Sequence, residues 1–138
     1  MRKWVSLMVV GVVAVSGLTV IAADKPPSDF QTAMKNNGAA MQSVGKAVDA
    51  KDYGQIEKDA ATLKTNFSLV GKYFTEKKND AALTHCQAAF KAAGALETAA
   101  KAKNDMGIAD ARKAMGGACS GCHTAHREKL ADGTFEIK

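Results

Sequence analysis

The chain has almost no proline: Pro26 and Pro27 are the only two, and both precede the main body. Nothing beyond them removes a backbone donor from a long helix. Aromatic residues make up only 6% of the 138 residues, while alanine is abundant, a composition that suits an all-helical protein. No stretch shows a convincing strand alternation. Charges are scattered singly along solvated faces, so there is no nucleic-acid or lipid-binding signature. No catalytic triad, paired-carboxylate site or phosphate loop is present, and enzymatic activity is not expected. Cysteine is scarce too. There are three, and an odd count leaves one thiol over from any pure disulfide framework.

What is present begins with an export signal. Arg2 and Lys3 give a positive start, and residues 5–23 are apolar apart from Ser6, Ser16 and Thr19. Small residues at Ala22 and Ala23 offer a cleavage site before Asp24. No cysteine follows the run, which argues against a lipid anchor. The expected organisation is a signal peptide over residues 1–23 and one domain over 24–138, placed in a periplasm or its equivalent. Removing the signal takes two positive charges from 19 Lys+Arg, leaving 17 against 14 Asp+Glu, a balance of +3.

The organising stretch is Cys119-Ser120-Gly121-Cys122-His123. Two thiols three apart on a helix share a face, so both can add to the vinyl groups along one porphyrin edge. The next residue, His123, can then offer an imidazole nitrogen to the iron, the arrangement of covalently attached haem c. Zinc is the competing reading, with Cys119 and Cys122 completed by Cys86 and by His123 or His126. A disulfide staple is another, because disulfides also form outside the cytoplasm. Haem uses two cysteines and leaves Cys86 alone.

Four amphipathic stripes surround the motif. After Pro26-Pro27, Ser28 or Asp29 is expected to cap a first helix with the stripe Phe30, Met34, Met41, Val44 and Val48. A second runs from about residue 52 to 77 with Ile56, Ala60, Leu63, Phe67, Val70 and Phe74 in alternating steps of four and three. Asn79-Asp80 turns into a third, striped by Leu83, Cys86, Phe90, Ala93, Leu96 and Ala100. Asn104-Asp105 turns into a fourth carrying Ile108, Ala111, Met115, Cys119, Cys122 and His126. It is expected to end between residues 130 and 132, with Gly133 as its stop. Connections this short predict an all-α, antiparallel up-down-up-down four-helix bundle.

Residues 95–127, ending in Cys119-Ser120-Gly121-Cys122-His123-Thr124-Ala125-His126-Arg127, resemble the class II cytochromes c, the cytochrome c′ family. Phe30-Gln31-Thr32-Ala33-Met34 resembles the family's Arg-Gln-x-x-(Met/Leu) segment on the distal side of the haem. Gln31 and Met34 match, and Phe30 replaces the arginine. His126 stands where the family has an aromatic residue, and Cys86 is an extra cysteine. The resemblance implies a four-helix bundle around one haem c, with His123 proximal, Arg127 beside the imidazole or a propionate, and dimerisation through the first two helices.

Helix geometry supplies an independent test of the distal residue. His123 lies about seven residues, roughly 10 Å, from the expected end of its helix, and Met34 about 8–9 Å into the first helix from the same end of the bundle. One layer then holds both, together with Cys86 and the residues around 70–74. Met34 is the expected sixth ligand, and core packing is its alternative role. Cys86 is expected to be a buried thiol, with iron ligation, contact with the haem face or an intermolecular disulfide as alternatives. Phe90 is expected against the porphyrin or the core. His85, about 100° round from Cys86, is expected to face solvent, with bis-histidine ligation of the iron as the alternative if the helix is rotated.

These readings lead to a mono-haem electron carrier with periplasmic or membrane redox partners. A five-coordinate protein binding NO or CO is the alternative, in which Phe30 offers no donor to bound O₂. A non-haem zinc- or disulfide-stapled bundle is the third.

Overall fold

Three copies of one turn set the architecture. In the computed structural model, which describes residues 25–138, the helices are α1 (Ser28–Asp49), α2 (Tyr53–Glu76), α3 (Asp80–Lys101) and α4 (Asp105–His126). The expected signal peptide lies outside the described residues. Each of the first three helices closes with a right-handed residue (Ala50, Lys77, Ala102) followed by a lysine in the left-handed region, with φ of 54° at Lys51, 54° at Lys78 and 51° at Lys103. The next amide then donates back to the last turn: Asp52 to the Ala47 carbonyl at 2.8 Å, Asn79 to Phe74 at 3.0 Å, and Asn104 to Ala99 at 2.9 Å. This is the Schellman closure. The same Asp or Asn caps the following helix, its side chain accepting from Gln55, Ala82 or Gly107 N–H at 3.0 Å each. One three-residue connection thus ends one helix, reverses the chain and starts the next.

Such links force consecutive helices to lie antiparallel, and close packing runs α1 on α2, α2 on α3 and α3 on α4. Alanines let the backbones approach: Ala60, Ala82, Ala93 and Ala100 are all at most 1% exposed. Ile56, Leu63, Leu96, Ile108 and Met115 fill the space between them. The fourth seam stays open, for α4 and α1 make no comparable backbone approach. No described helix is long and apolar enough to cross a membrane.

Three local expectations are corrected. The N-cap position of α1 is Pro27 with no side-chain cap, so neither Ser28 nor Asp29 caps the helix. The Asp29 carboxylate instead accepts from the Phe30 N–H at 2.8 Å. Helix α4 ends at His126, short of residues 130–132, because Arg127 turns extended at φ −119° and ψ 133°. The chain then forms a hairpin of β1 (Arg127–Lys129) and β2 (Phe135–Ile137), antiparallel, with Arg127 opposite Ile137. Gly133, at φ +83°, is the hairpin turn and not a helix stop. Strands of three residues are too short to show alternation in a sequence. Finally, the inward face of α3 runs through Ala82, Cys86, Ala89, Ala93 and Leu96, leaving Phe90 outside at 41% exposure.

Candidate functional site in the open α1–α4 seam

Two adjoining cavities occupy the open seam, of about 350 and 320 Å³. Each lies in the range of small-molecule and cofactor pockets, roughly 300–1,000 Å³. They share a wall made of Met34 from α1, Phe74 from α2, and Cys122 and His123 from α4. The first cavity opens toward Phe30, Gln31, His126, Arg127 and the hairpin residues Phe135 and Ile137. The second runs between Asn37, Met41, Val70, His85, Cys86 and Cys119. The structure therefore brings together Cys119, Cys122, His123, Met34, Cys86 and Phe74, the group expected to share one layer. A larger groove, about 760 Å³, lies elsewhere, between Lys64, Lys72, Tyr73 and Phe90 on the outer face of α2. It carries none of the motif's chemistry.

The last turns of α4 explain the presentation. Cys119 and Cys122, three apart, are both half-buried and both line the second cavity. Burial pushes both thiols above their ordinary range; the Cys119 thiol adds to the rise at Cys122, and the Arg127 guanidinium opposes it. His123 is displaced the other way. Burial first, and then the Arg127 charge, lower its pKa, so its imidazole is neutral at neutral pH and keeps a lone pair for a metal. Arg127 itself is exposed and lies over the Phe135 ring, 4.2 Å from its centroid.

The α1 side is assembled differently. Phe30 is 3% exposed and wedged against Tyr73 and Phe74, with ring centroids 4.7 and 5.6 Å away. Gln31 is exposed at the rim, where its Nε2 donates to the Pro26 carbonyl at 2.7 Å. Met34 and Met41 are half-buried on the flank of α1, while Ala33, Asn37, Ala40 and Val44 take the most buried positions. Asn37 is 6% exposed, and neither its Oδ1 nor its Nδ2 has a hydrogen-bond partner. Sequence periodicity passes over it because an asparagine interrupts the apolar stripe.

Cys86 lines the second cavity as a buried thiol whose Sγ donates to the Phe67 carbonyl at 3.0 Å. Burial, reinforced by Cys122 and Cys119, pushes its pKa up to about 12, so it is a protonated thiol and not a thiolate. Phe90 is not brought to the seam; it lines the groove on the outer face and a recess behind Cys86. His85 does not simply face solvent. It is half-buried, lines the second cavity, and sits 6.1 Å from the His126 ring, centroid to centroid. The rotational phase of an alanine-rich helix is poorly marked in its sequence, which is why His85 and Phe90 exchange their expected environments.

All three cysteines are free thiols. Among the described residues no group of three or more His, Cys, Asp or Glu converges as a metal ion requires. The zinc set of Cys119, Cys122 and Cys86 with His123 or His126 is thus not preassembled. The seam does offer two thiols on one helical face, a neutral imidazole beside them, a thioether across from them, and walls that are mostly apolar in the second cavity, where Asn37 and His85 are the exceptions, and that turn polar at Gln31, Lys35, His126, Arg127 and Thr134 in the first. No family model, no curated protein and no solved structure matches the chain.

Proposed function

We propose that this chain is an exported, periplasmic mono-haem c-type cytochrome that carries single electrons between redox partner proteins. One observation carries the reading: α4 presents Cys119, Cys122 and His123 to the one open seam of the bundle, where Met34 of α1 shares both cavities with His123. The residues fit a planar, largely apolar cofactor that needs two thioether attachments and an axial nitrogen. Haem supplies reversible one-electron chemistry at its iron. Cys119 and Cys122 hold it covalently, and neutral His123 binds the iron. Met34, which shares both cavities with His123, would be the sixth ligand, with His85 in the second cavity as its alternative. Gln31 and Arg127, polar groups at the rim of the first cavity, are suited to the propionate edge. Cys86 and Phe74 supply wall, and Phe90 plays no part.

A second reading is a five-coordinate haem that binds a small gas such as NO or CO, with the half-buried Met34 only part of the wall. One experiment separates the two. The protein is expressed with haem-maturation machinery, and ferric and ferrous spectra are recorded before and after adding carbon monoxide. Sharp ferrous bands, a ferric methionine–iron charge-transfer band and no response to carbon monoxide are expected for the electron carrier. High-spin bands that shift at once demote Met34 to packing. No covalent haem in a competent host overturns both readings.

A further inference from the structure

Two of the chain's three histidines meet beside the motif: His85 of α3 and His126 in the last turn of α4. Their ring centroids are 6.1 Å apart and their planes stand at 61°. Both side chains are half-buried, and neither forms a hydrogen bond or ion pair with another described residue. Gly121 makes the meeting possible. A Cβ there would stand 2.8 Å from the His85 Cε1 and 3.1 Å from its Nδ1, so the glycine lets the nitrogen-bearing edge of the ring lie against α4. The hairpin holds His126 in place, its carbonyl accepting from the Lys138 N–H at 3.0 Å.

The separation of the rings decides what the pair can do. A direct N–H···N bond brings the nitrogens within about 3 Å, which needs centroids no more than about 5.3 Å apart. At 6.1 Å the two imidazoles do not bond to each other. Two imidazoles on one ion, with metal–nitrogen bonds of about 2.0–2.1 Å, have centroids roughly 5–6.5 Å apart. The observed spacing falls in that range. We propose that His85 and His126 form a metal site separate from the haem iron, for a divalent cation that favours imidazole: copper(II), nickel(II) or zinc. Solvent completes the coordination, because no third His, Cys, Asp or Glu converges among the described residues. No cysteine takes part, so this is not the thiol-based zinc set. The ion ties α3 to the last turn of α4. His85 cannot serve it and the haem iron at once, so a filled site leaves the sixth position to Met34.

The test is a calorimetric titration of the haem-loaded protein with zinc. There the haem consumes Cys119 and Cys122, His123 sits on the iron, and Cys86 is a buried, protonated thiol. One zinc per chain with a micromolar Kd is expected. His85→Gln and His126→Gln should each weaken it at least about tenfold, and the double variant should be little worse than either, as for two halves of one site. Circular dichroism checks the fold of each variant, and asparagine is the second replacement at either position. No zinc uptake by the wild type, or uptake that neither substitution alters, overturns the proposal and leaves the haem reading standing. A chain that takes up no haem is titrated as Cys119→Ser/Cys122→Ser/His123→Gln instead. One zinc that is lost with His85→Gln then upholds the proposal while the haem reading falls, and no zinc overturns both.

Discussion

Gly121 of α4 and His85 of α3 approach so closely that a Cβ on Gly121 would stand 2.8 Å from the imidazole Cε1. The glycine inside the Cys-x-x-Cys stretch is therefore what lets α3 press a histidine against the motif. Gly121→Ala is expected to force the ring aside at about 1–2 kcal/mol, offset by the roughly 0.5–1 kcal/mol that alanine gains over glycine inside a helix, for a net loss of about 0.5–1 kcal/mol. It should also lower the yield of covalent haem. His85→Ala in the same chain should restore both. Thermal unfolding and haem yield of the single and double variants check this, and a double variant no better than Gly121→Ala would sink the explanation.

The three inter-helix turns place Lys51, Lys78 and Lys103 at φ between 51° and 54°, where an L-residue is strained by about 1–2 kcal/mol. Glycine removes that strain but returns roughly 0.5–1 kcal/mol through its greater freedom in the unfolded chain. Each Lys→Gly change should therefore stabilise by about 0.5 kcal/mol. The Lys51–Asp105 ion pair, 3.6 Å long and largely exposed, subtracts little at the first site. Urea midpoints that rise at constant slope would show it.

Cys86 should be the silent thiol. Its pKa is pushed up to about 12 and its Sγ is engaged with the Phe67 carbonyl. With Cys119 and Cys122 both replaced by serine, an aromatic disulfide reagent at neutral pH should leave the folded protein almost unlabelled. It should label one thiol per chain in denaturant. Rapid labelling of the folded form contradicts the burial described above.

Glu97 bridges α2 and α3, receiving Lys101 Nζ at 2.7 Å and Lys64 Nζ at 2.8 Å, and these partners lower its pKa to about 2. A carboxylate depressed on folding stabilises the fold fully above its unfolded value, about 4.3, and loses that contribution as pH falls toward 2. Wild type should exceed Glu97→Gln in stability at neutral pH, with the gap closing across this acid window. Added salt should narrow the gap, since the network is open to solvent. A gap independent of pH would assign the effect to packing.

Much of the bundle was legible from the chain alone because its signals are local. Asp52, Asn79 and Asn104 cap helices through side-chain bonds three residues long, and the stripe of α2 from Ile56 to Phe74 is buried at every expected position. The three-residue spacing of Cys119 and Cys122 puts both thiols on one face whatever the rest of the chain does. Met34 and His123 line the same cavities because short links fix which helix ends adjoin.

Tertiary structure decided the rest. Whether Phe90 or His85 faces the motif depends on the rotation of α3 by a fraction of a turn. The alanines around it tolerate several rotations, and packing between α2 and α4 selects one. The end of α4 at His126 depends on a hairpin whose strands gain stability only by pairing with each other and laying Ile137 on the core. The isolation of the Asn37 amide emerges only when four helices surround it. Local hydrogen bonds and spacing are written within a few residues of sequence; helix rotation, chain reversal and burial are set by contacts between residues far apart in it.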